Sequence, residues 1–290
     1  MSHAQVLCLF LWFVCALCAL WRVKTQAHTV RSGGTVERPF YNIVNLVIYD
    51  ERNAHEREMK SQLQRLLRDA DHGSTNSTTI RQLFISCDPA CADVARESGL
   101  SGESTGDMLH VGCEESYVPG ILQKTVKSMQ FCLETLDFDL LIRSNVSTAI
   151  DFGRLPMPEL LTHARRSHGE LLYASTSILH FSEQGRDDVA FASGTNIILN
   201  RQAVEHVVTH SDALDMQKPD DVAIGELFQG VATPHQTSTR MTWNDDDPLG
   251  VVFRNRDANE NRSIDVRRME SIVNRIIDRH PLPRATFVSL

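Results

Sequence analysis

Three polar segments, each set against a buried stretch, carry the side chains most able to do chemistry. The first is Asp137–Ser147 (DFDLLIRSNVS), where an apolar run opens into Arg143, Asn145 and Ser147. In open α/β sheets, ligands collect just beyond the carboxyl ends of strands. The second is Phe191–Arg201 (FASGTNIILNR), a small-residue turn around Gly194 before a buried strand that breaks into a helix. A glycine there lets a ligand approach the backbone closely. The third is Pro219–Gly225 (PDDVAIG), in which Asp220 and Asp221 open a helix. Such carboxylates either cap the helix and complement its dipole, or serve as a general base held on a rigid element. Tyr49 and Asp50 end the first apolar run and would face a ligand in the same way. The run Asp245–Asp247 precedes Pro248 and reads as a solvated turn. The CDPAC segment, Cys87 to Cys91, has no matching Cys/His pair after it and makes a poor zinc half-site.

The elements that must hold these groups follow from hydrophobic spacing. Asn42–Tyr49 is short, apolar and rich in β-branched residues, the pattern of a buried strand. Met59, Leu63, Leu66 and Leu67 recur at helical spacing over 55–70, and a polar loop follows over 71–79. Gln82–Ser86 and Phe138–Arg143 are two more strands, separated by a helix over Val118–Leu133. Residues 157–167 predict a helix after Pro156. Leu171–Ser175 and Phe191–Asn200 predict strands; 201–209 and 220–228, short helices. Ile264–Ile277 closes the series as an amphipathic helix. Strands alternating with helices imply an α/β fold, a mixed, mostly parallel sheet covered on both faces. There is no internal repeat, GxGxxG or phosphate-binding Walker loop.

The chain of 290 residues is 42% apolar and 23% charged, with a formal net charge of −8, and is long enough for one large core. Without a dense basic run it is a poor candidate for general nucleic-acid binding, which depends on cationic surface. Residues 6–21 form an unbroken apolar run. A helix of that length spans about 24 Å. It is expected to be either an uncleaved signal anchor or a signal peptide cleaved near Ala27. Both readings put the remainder in the lumen of the secretory pathway or outside the cell: a single-pass Golgi or ER membrane protein, or a secreted one. The expected organisation is a targeting segment over 1–27, a stem over 28–40 and one domain over 41–290. Outside the apolar run, Cys87, Cys91, Cys113 and Cys132 allow two disulfides in three pairings. Sequons stand at Asn76, Asn145 and Asn261.

The order of these segments resembles the lumenal β-1,3-glycosyltransferases of the β-1,3-galactosyltransferase and Fringe type. That family has a strand ending in Lys-x-Asp-Asp-Asp, an aromatic-Ala-Ser-Gly strand ending in Ser/Asn-Arg, and then Glu-Asp-Val-x-x-Gly. The counterparts here are Arg143–Ser147, Phe191–Arg201 and Asp220–Gly225. An earlier family segment, Asp-x-Tyr-x-Asn-Leu-Thr-x-Lys-Thr, is echoed by Glu115–Thr125 (ESYVPGILQKT), one residue longer. The resemblance covers roughly residues 42–255.

It implies a GT-A-type nucleotide-sugar-binding fold and an inverting transfer, from a UDP-sugar to a hydroxyl of a glycan or glycoprotein. Asp221 matches the catalytic base. Tyr49, Asp50, Lys124, Arg143, Asn145 and Ser147 fall where the donor would bind, and Gly194 and Asp220 where the acceptor or pocket wall would be. The family's acidic triplet holds Mn²⁺ against the donor diphosphate; here Asn145-Val146-Ser147 stand in that place, so no metal ligand is assigned. Arg143, then Lys124, Arg254 and Arg256, are candidates to supply the missing positive charge. If a cation is used, Asp245, Asp246, Asp247 and His235 are the side chains left to hold it. The alternative is a non-catalytic sugar- or nucleotide-binding protein of the same fold.

Overall fold

The computed structural model describes residues 38–70, 79–91, 96–98, 107–166, 170–182, 188–244, 247, 249–257, 259 and 261–280. The expected targeting segment and nearly all of the expected stem lie outside them, as do Asn76, Asp245 and Asp246. In chain order the elements are β1 (Phe40–Ile48), α1 (Ala54–Asp69), β2 (Ile80–Cys87), β3 (Arg96–Ser98), β4 (Met108–Val111), α2 (Gly120–Thr135), β5 (Asp137–Asn145), β6 (Thr148–Ile150), α3 (Met157–Arg166), β7 (Tyr173–Ser175), β8 (Ile178–Phe181), β9 (Val189–Ala192), β10 (Asn196–Asn200), α4 (Arg201–Thr209), α5 (Asp220–Phe228), β11 (His235–Gln236), β12 (Met241–Trp243), β13 (Val252–Arg254) and α6 (Arg262–Arg279).

Eight strands form one sheet in the order β11-β7-β10-β5-β1-β2-β4-β3. Its centre, β5-β1-β2-β4, is parallel, and β10 runs antiparallel to β5. The fold is thus α/β, with a mostly parallel sheet and helices on both faces. Strand pleating explains the two-sided core, because successive side chains point to opposite faces. Val44, Leu46 and Leu141 pack toward α2, α4 and α5 on one face. Val47 and Phe84 pack toward α1 and α6 on the other. Between those two helices, Met59, Leu63 and Leu66 meet Met269, Ile272 and Ile276. β6, β13 and β12 make a second sheet of three short strands. Through β6 and the turn at Val146–Ser147 it continues directly from the end of β5.

Two expectations need correction. Phe191–Asn200 is not one strand: β9 and β10 are separated by a turn at residues 193–195. Small Ser193 and Gly194 stop the ladder there. Among the described residues no helix is long and apolar enough to cross a membrane, so the single-pass Golgi or ER membrane placement and the membrane contact are not supported. The apolar run on which they rested, residues 6–21, lies outside the described residues. Of the three cysteine pairings, the bond formed is Cys87–Cys113, while Cys91 and Cys132 are not disulfide-bonded.

Candidate functional site

The carboxyl ends of β1 and β5 open onto a cleft of about 300 Å³. Its floor is Ile48–Asp50 and Asn145–Ser147. Its walls come from α2 through Lys124, from the loop before α2 through Glu115 and Tyr117, and from the end of β13 and the segment after it through Arg254 and Arg256. The first turns of α1 and α6 add Glu56 and Arg262. Tyr49, Asp50, Lys124, Asn145 and Ser147, separated by up to about a hundred positions in the chain, therefore share one cavity.

Each of these groups has an identifiable partner. Lys124 is 1% exposed. Its Nζ donates to the Tyr49 carbonyl at 2.6 Å and ion-pairs with Glu115. Burial lowers the Lys124 pKa, with the Glu115 hydrogen bond and charge opposing. Glu115 also accepts from the Cys87 backbone N–H at 3.2 Å, and Cys87 is bonded to Cys113. The disulfide therefore ties the start of the segment that carries Glu115 to the end of β2, where Glu115 itself is also held. At Asp50, burial disfavours the charged form, yet hydrogen bonds and charge from Arg52 outweigh it and hold the carboxyl below its ordinary range. The Asp50 N–H donates to Glu56 at 2.7 Å, and burial pushes the Glu56 carboxyl up. Tyr117 is 69% exposed at the cleft.

The basic side of the cleft is crowded. The Arg254 guanidinium donates to Ser147 Oγ. Burial first, and then the charges of Arg256, Arg143 and Arg262, push the Arg254 pKa down to about 10. Arg262 is held by Asp265 at 3.1 Å, with Glu56 at 4.0 Å.

Asp220 and Asp221 sit side by side at the start of α5 and differ in role. Asp220 is buried, ion-paired to Arg143 Nε at 2.8 Å and accepting from Thr125 Oγ1 at 2.8 Å. Asp221 accepts from the Gly194 N–H at 2.9 Å and from the Val222 N–H at 3.0 Å, which leaves carboxylate lone pairs for a further donor. Its pKa is raised, by burial and then by the Asp220 charge, against the two N–H groups and Arg143. The Gly194 carbonyl accepts from Asn145 Nδ2 at 2.9 Å and from Arg143. Gly194 is thus the single residue between Asn145 in the cleft floor and Asp221. A Cβ at Gly194 would stand 3.0 Å from Asp221 Oδ2 and 3.1 Å from Arg143 Nη1.

Two sequence-derived assignments change in detail. Arg143 is 1% exposed, and its charge is met by Asp220. It braces α5 and Gly194 rather than facing the cleft. The Tyr49 ring is committed to the core, edge-on to Phe84 at 6.1 Å with its hydroxyl on Met108 Sδ. Glu56, Tyr117 and Arg262 were not anticipated. They come from helix starts and a loop whose local sequence has no spacing that ties them to β1 or β5.

The turn at Asn145–Ser147 does not fit a divalent cation. The Asn145 amide is turned to Gly194, Val146 is apolar, and Ser147 Oγ accepts from a guanidinium. Among the described residues no three His, Cys, Asp or Glu side chains converge as a metal-binding group. His235 is exposed on β11, and Asp247 pairs with Arg240.

No protein-family model matches the chain, and no curated protein matches its sequence. Solved structures do. The glycosyltransferase GlyE of Streptococcus pneumoniae TIGR4 is similar with a TM-score of 0.44 at 13% identity, over 84% of this chain and 66% of that one. Its apo form has a TM-score of 0.42 at 11% identity, over 83% and 63%. The galactosyltransferase LgtC, in complex with donor and acceptor sugar analogs, has a TM-score of 0.40 at 14% identity, over 83% of this chain and 98% of its own. The chain thus spans slightly less than two thirds of the length of the GlyE chains.

Proposed function

We propose that the protein is an inverting glycosyltransferase of the β-1,3 type, with residues 41–290 as its GT-A-type domain. It transfers a sugar from a nucleotide-sugar, a UDP-sugar by the motif resemblance, to a hydroxyl of a glycan or glycoprotein. The observation that carries the reading is the pairing of a cationic cleft beyond β1 and β5 with a raised-pKa carboxylate, Asp221, one residue behind the cleft floor. The cationic side receives the donor diphosphate. Tyr117, exposed at the cleft, offers its ring to the nucleoside.

In the reaction Asp221 takes the proton of the acceptor hydroxyl as that oxygen bonds to the anomeric carbon. The bond from that carbon to the diphosphate oxygen breaks on the opposite face. Its electron pair leaves with the nucleoside diphosphate, whose charge Lys124, Arg254 and Arg256 stabilise. The acceptor lies on the β13–β12 side. There Trp243 is 57% exposed and is the strand partner of Arg254, so the two side chains rise from the same face of the small sheet. An indole face suits the C–H face of a pyranose.

The test is turnover of a panel of UDP-sugars by the full chain, with Asp221→Asn beside it. The expected result is transfer that falls about 10²–10⁴-fold in kcat in the variant, with UDP affinity unchanged. Activity within a few-fold of the parent removes Asp221 from the base role. Nucleotide binding with no turnover on any donor favours the non-catalytic alternative, for which the missing carboxylates at residues 145–147 already speak.

A further inference from the structure

We propose that the guanidinium of Arg254 stands in for a divalent cation at the donor diphosphate, so that this cleft grips a diphosphate without metal. The inference rests on the donor-site reading above and adds how the anion is held. Three observations carry it. At the turn after β5, where the motif resemblance implies carboxylates around a metal, the Ser147 hydroxyl accepts from Arg254. A positive charge already sits at that position, and two or three carboxylates there would trap it in ion pairs. Register then fixes this charge: Arg254 pairs with Thr148 on β6 and with Trp243 on β12, and the next residue's N–H donates to the Ser147 carbonyl at 2.8 Å. Backbone ladders on both sides thus deliver the side chain to the turn.

The third observation is charge balance. Lys124, Arg254, Arg256 and Arg262 line the same cavity. Arg254 is partly buried and is repelled by Arg256, Arg143 and Arg262. A planar guanidinium suits bidentate recognition of phosphate oxygens, and the surrounding cations supply the remaining charge. Carboxylates at the rim, Asp50 and Glu56, are engaged with Arg52 and with the Asp50 N–H. Glu56 also lies 4.0 Å from Arg262, and neither carboxylate is ion-paired with Arg254.

Calorimetric titration of the full chain with inorganic pyrophosphate, UDP and UMP, in EDTA and in Mn²⁺, tests the proposal. Pyrophosphate and UDP are expected to bind in EDTA with affinities within about two-fold of those in Mn²⁺, and UMP to bind at least ten-fold more weakly than UDP. Arg254→Met is expected to weaken pyrophosphate and UDP by 10- to 100-fold, the scale of one charge-assisted contact. Arg254→Lys should recover only part of that loss. A thermal melt of each variant establishes that it is folded. Converting the turn, with Asn145→Asp, Ser147→Asp and Arg254→Met together, is expected to make UDP binding respond to Mn²⁺. Pyrophosphate binding that vanishes in EDTA and returns with Mn²⁺, or a folded Arg254→Met that binds as the parent does, overturns the proposal. The two readings separate cleanly. Sugar transfer that requires Mn²⁺ upholds the proposed function and rejects this inference. Metal-free pyrophosphate binding that depends on Arg254, without turnover of any donor, does the reverse.

Discussion

Replacing Asp220 by Asn removes one charge and moves two observables in directions that the structure dictates. Asp220 and Arg143 are 4% and 1% exposed and ion-paired at 2.8 Å. Deleting one member of a buried pair leaves the other uncompensated, at a cost of about 3–5 kcal/mol. In a domain of this size each kcal/mol lowers Tm by roughly 2–4 °C, which gives an expected fall of roughly 6–20 °C. The second effect is on Asp221. Burial raises its pKa first and the Asp220 charge second, while Arg143 lowers it. With Asp220 neutral, the repulsion disappears and the Arg143 charge acts on Asp221 undiminished. The Asp221 pKa drops, and the acid limb of the pH–kcat profile moves to lower pH. A thermal melt and a pH–rate profile of Asp220→Asn against the parent measure both. The paired substitution Asp220→Val with Arg143→Met should recover most of the lost stability, since apolar replacement of a buried pair is often neutral or better. A Tm within two degrees of the parent, or an acid limb that moves up, refutes the reasoning.

Other perturbations probe the supports of the site. A Cβ on Gly225 would meet Phe191 Cβ at 2.4 Å; Gly225→Ala should therefore push α5 from β9, cost roughly 1–3 kcal/mol, and depress kcat by displacing Asp221. Thermal melts and initial rates report both effects. Removing the Cys87–Cys113 bond, which spans 26 residues, by Cys87→Ser and Cys113→Ser should cost roughly 3 kcal/mol. UDP affinity should weaken as well, because Glu115, Lys124's partner, loses its tether; denaturant melts and calorimetry decide. Trp243→Ala should raise the acceptor KM by about 10-fold, equivalent to roughly 1.4 kcal/mol of lost contact, and leave UDP affinity alone. Steady-state kinetics with varied acceptor check it, and a change confined to UDP affinity counts against an acceptor role.

The large elements were legible because their length carries a period. β1 and β5 are nine-residue strands whose apolar runs announce them, and α1 and α6 repeat Met, Leu and Ile at helical spacing. β6, β12 and β13 are three residues each. Three residues show no periodicity, so the small sheet that delivers Arg254 was invisible. Arg143 was misplaced for a subtler reason. It shares the parity of Leu141, which lies under α2 and α5, and two residues from the end of β5 it is still covered. Asn145, with the same parity, has passed the edge of that cover and reaches the cleft floor. Strand parity was readable, but the overhang of the helices was not. Asp221 stood out because Pro219 and the two carboxylates mark a helix start, yet its division of labour with Asp220 depends on Thr125 and Arg143, about 95 and 77 positions upstream.

The arginine cluster also explains why the cleft is electrostatically uneasy without an anion. Lowering the Arg254 pKa from its ordinary range to about 10 means that the fold disfavours its charged form. Because this is a base with a depressed pKa, the penalty is fully present below about pH 10 and would fade only as pH rises above that. It therefore applies throughout the neutral range. Burial accounts for the largest part and persists whatever binds; the repulsion from Arg256, Arg143 and Arg262 is the part a diphosphate can offset. Arg143 is already matched by Asp220, and Arg262 by Asp265. The charge left to meet a ligand is then chiefly that of Arg254, with Arg256 lining the same cavity, beside a Lys124 shared with Glu115. Stability given up to hold like charges together is the usual signature of a site shaped for binding rather than for folding, and here it converges on the turn that closes β5.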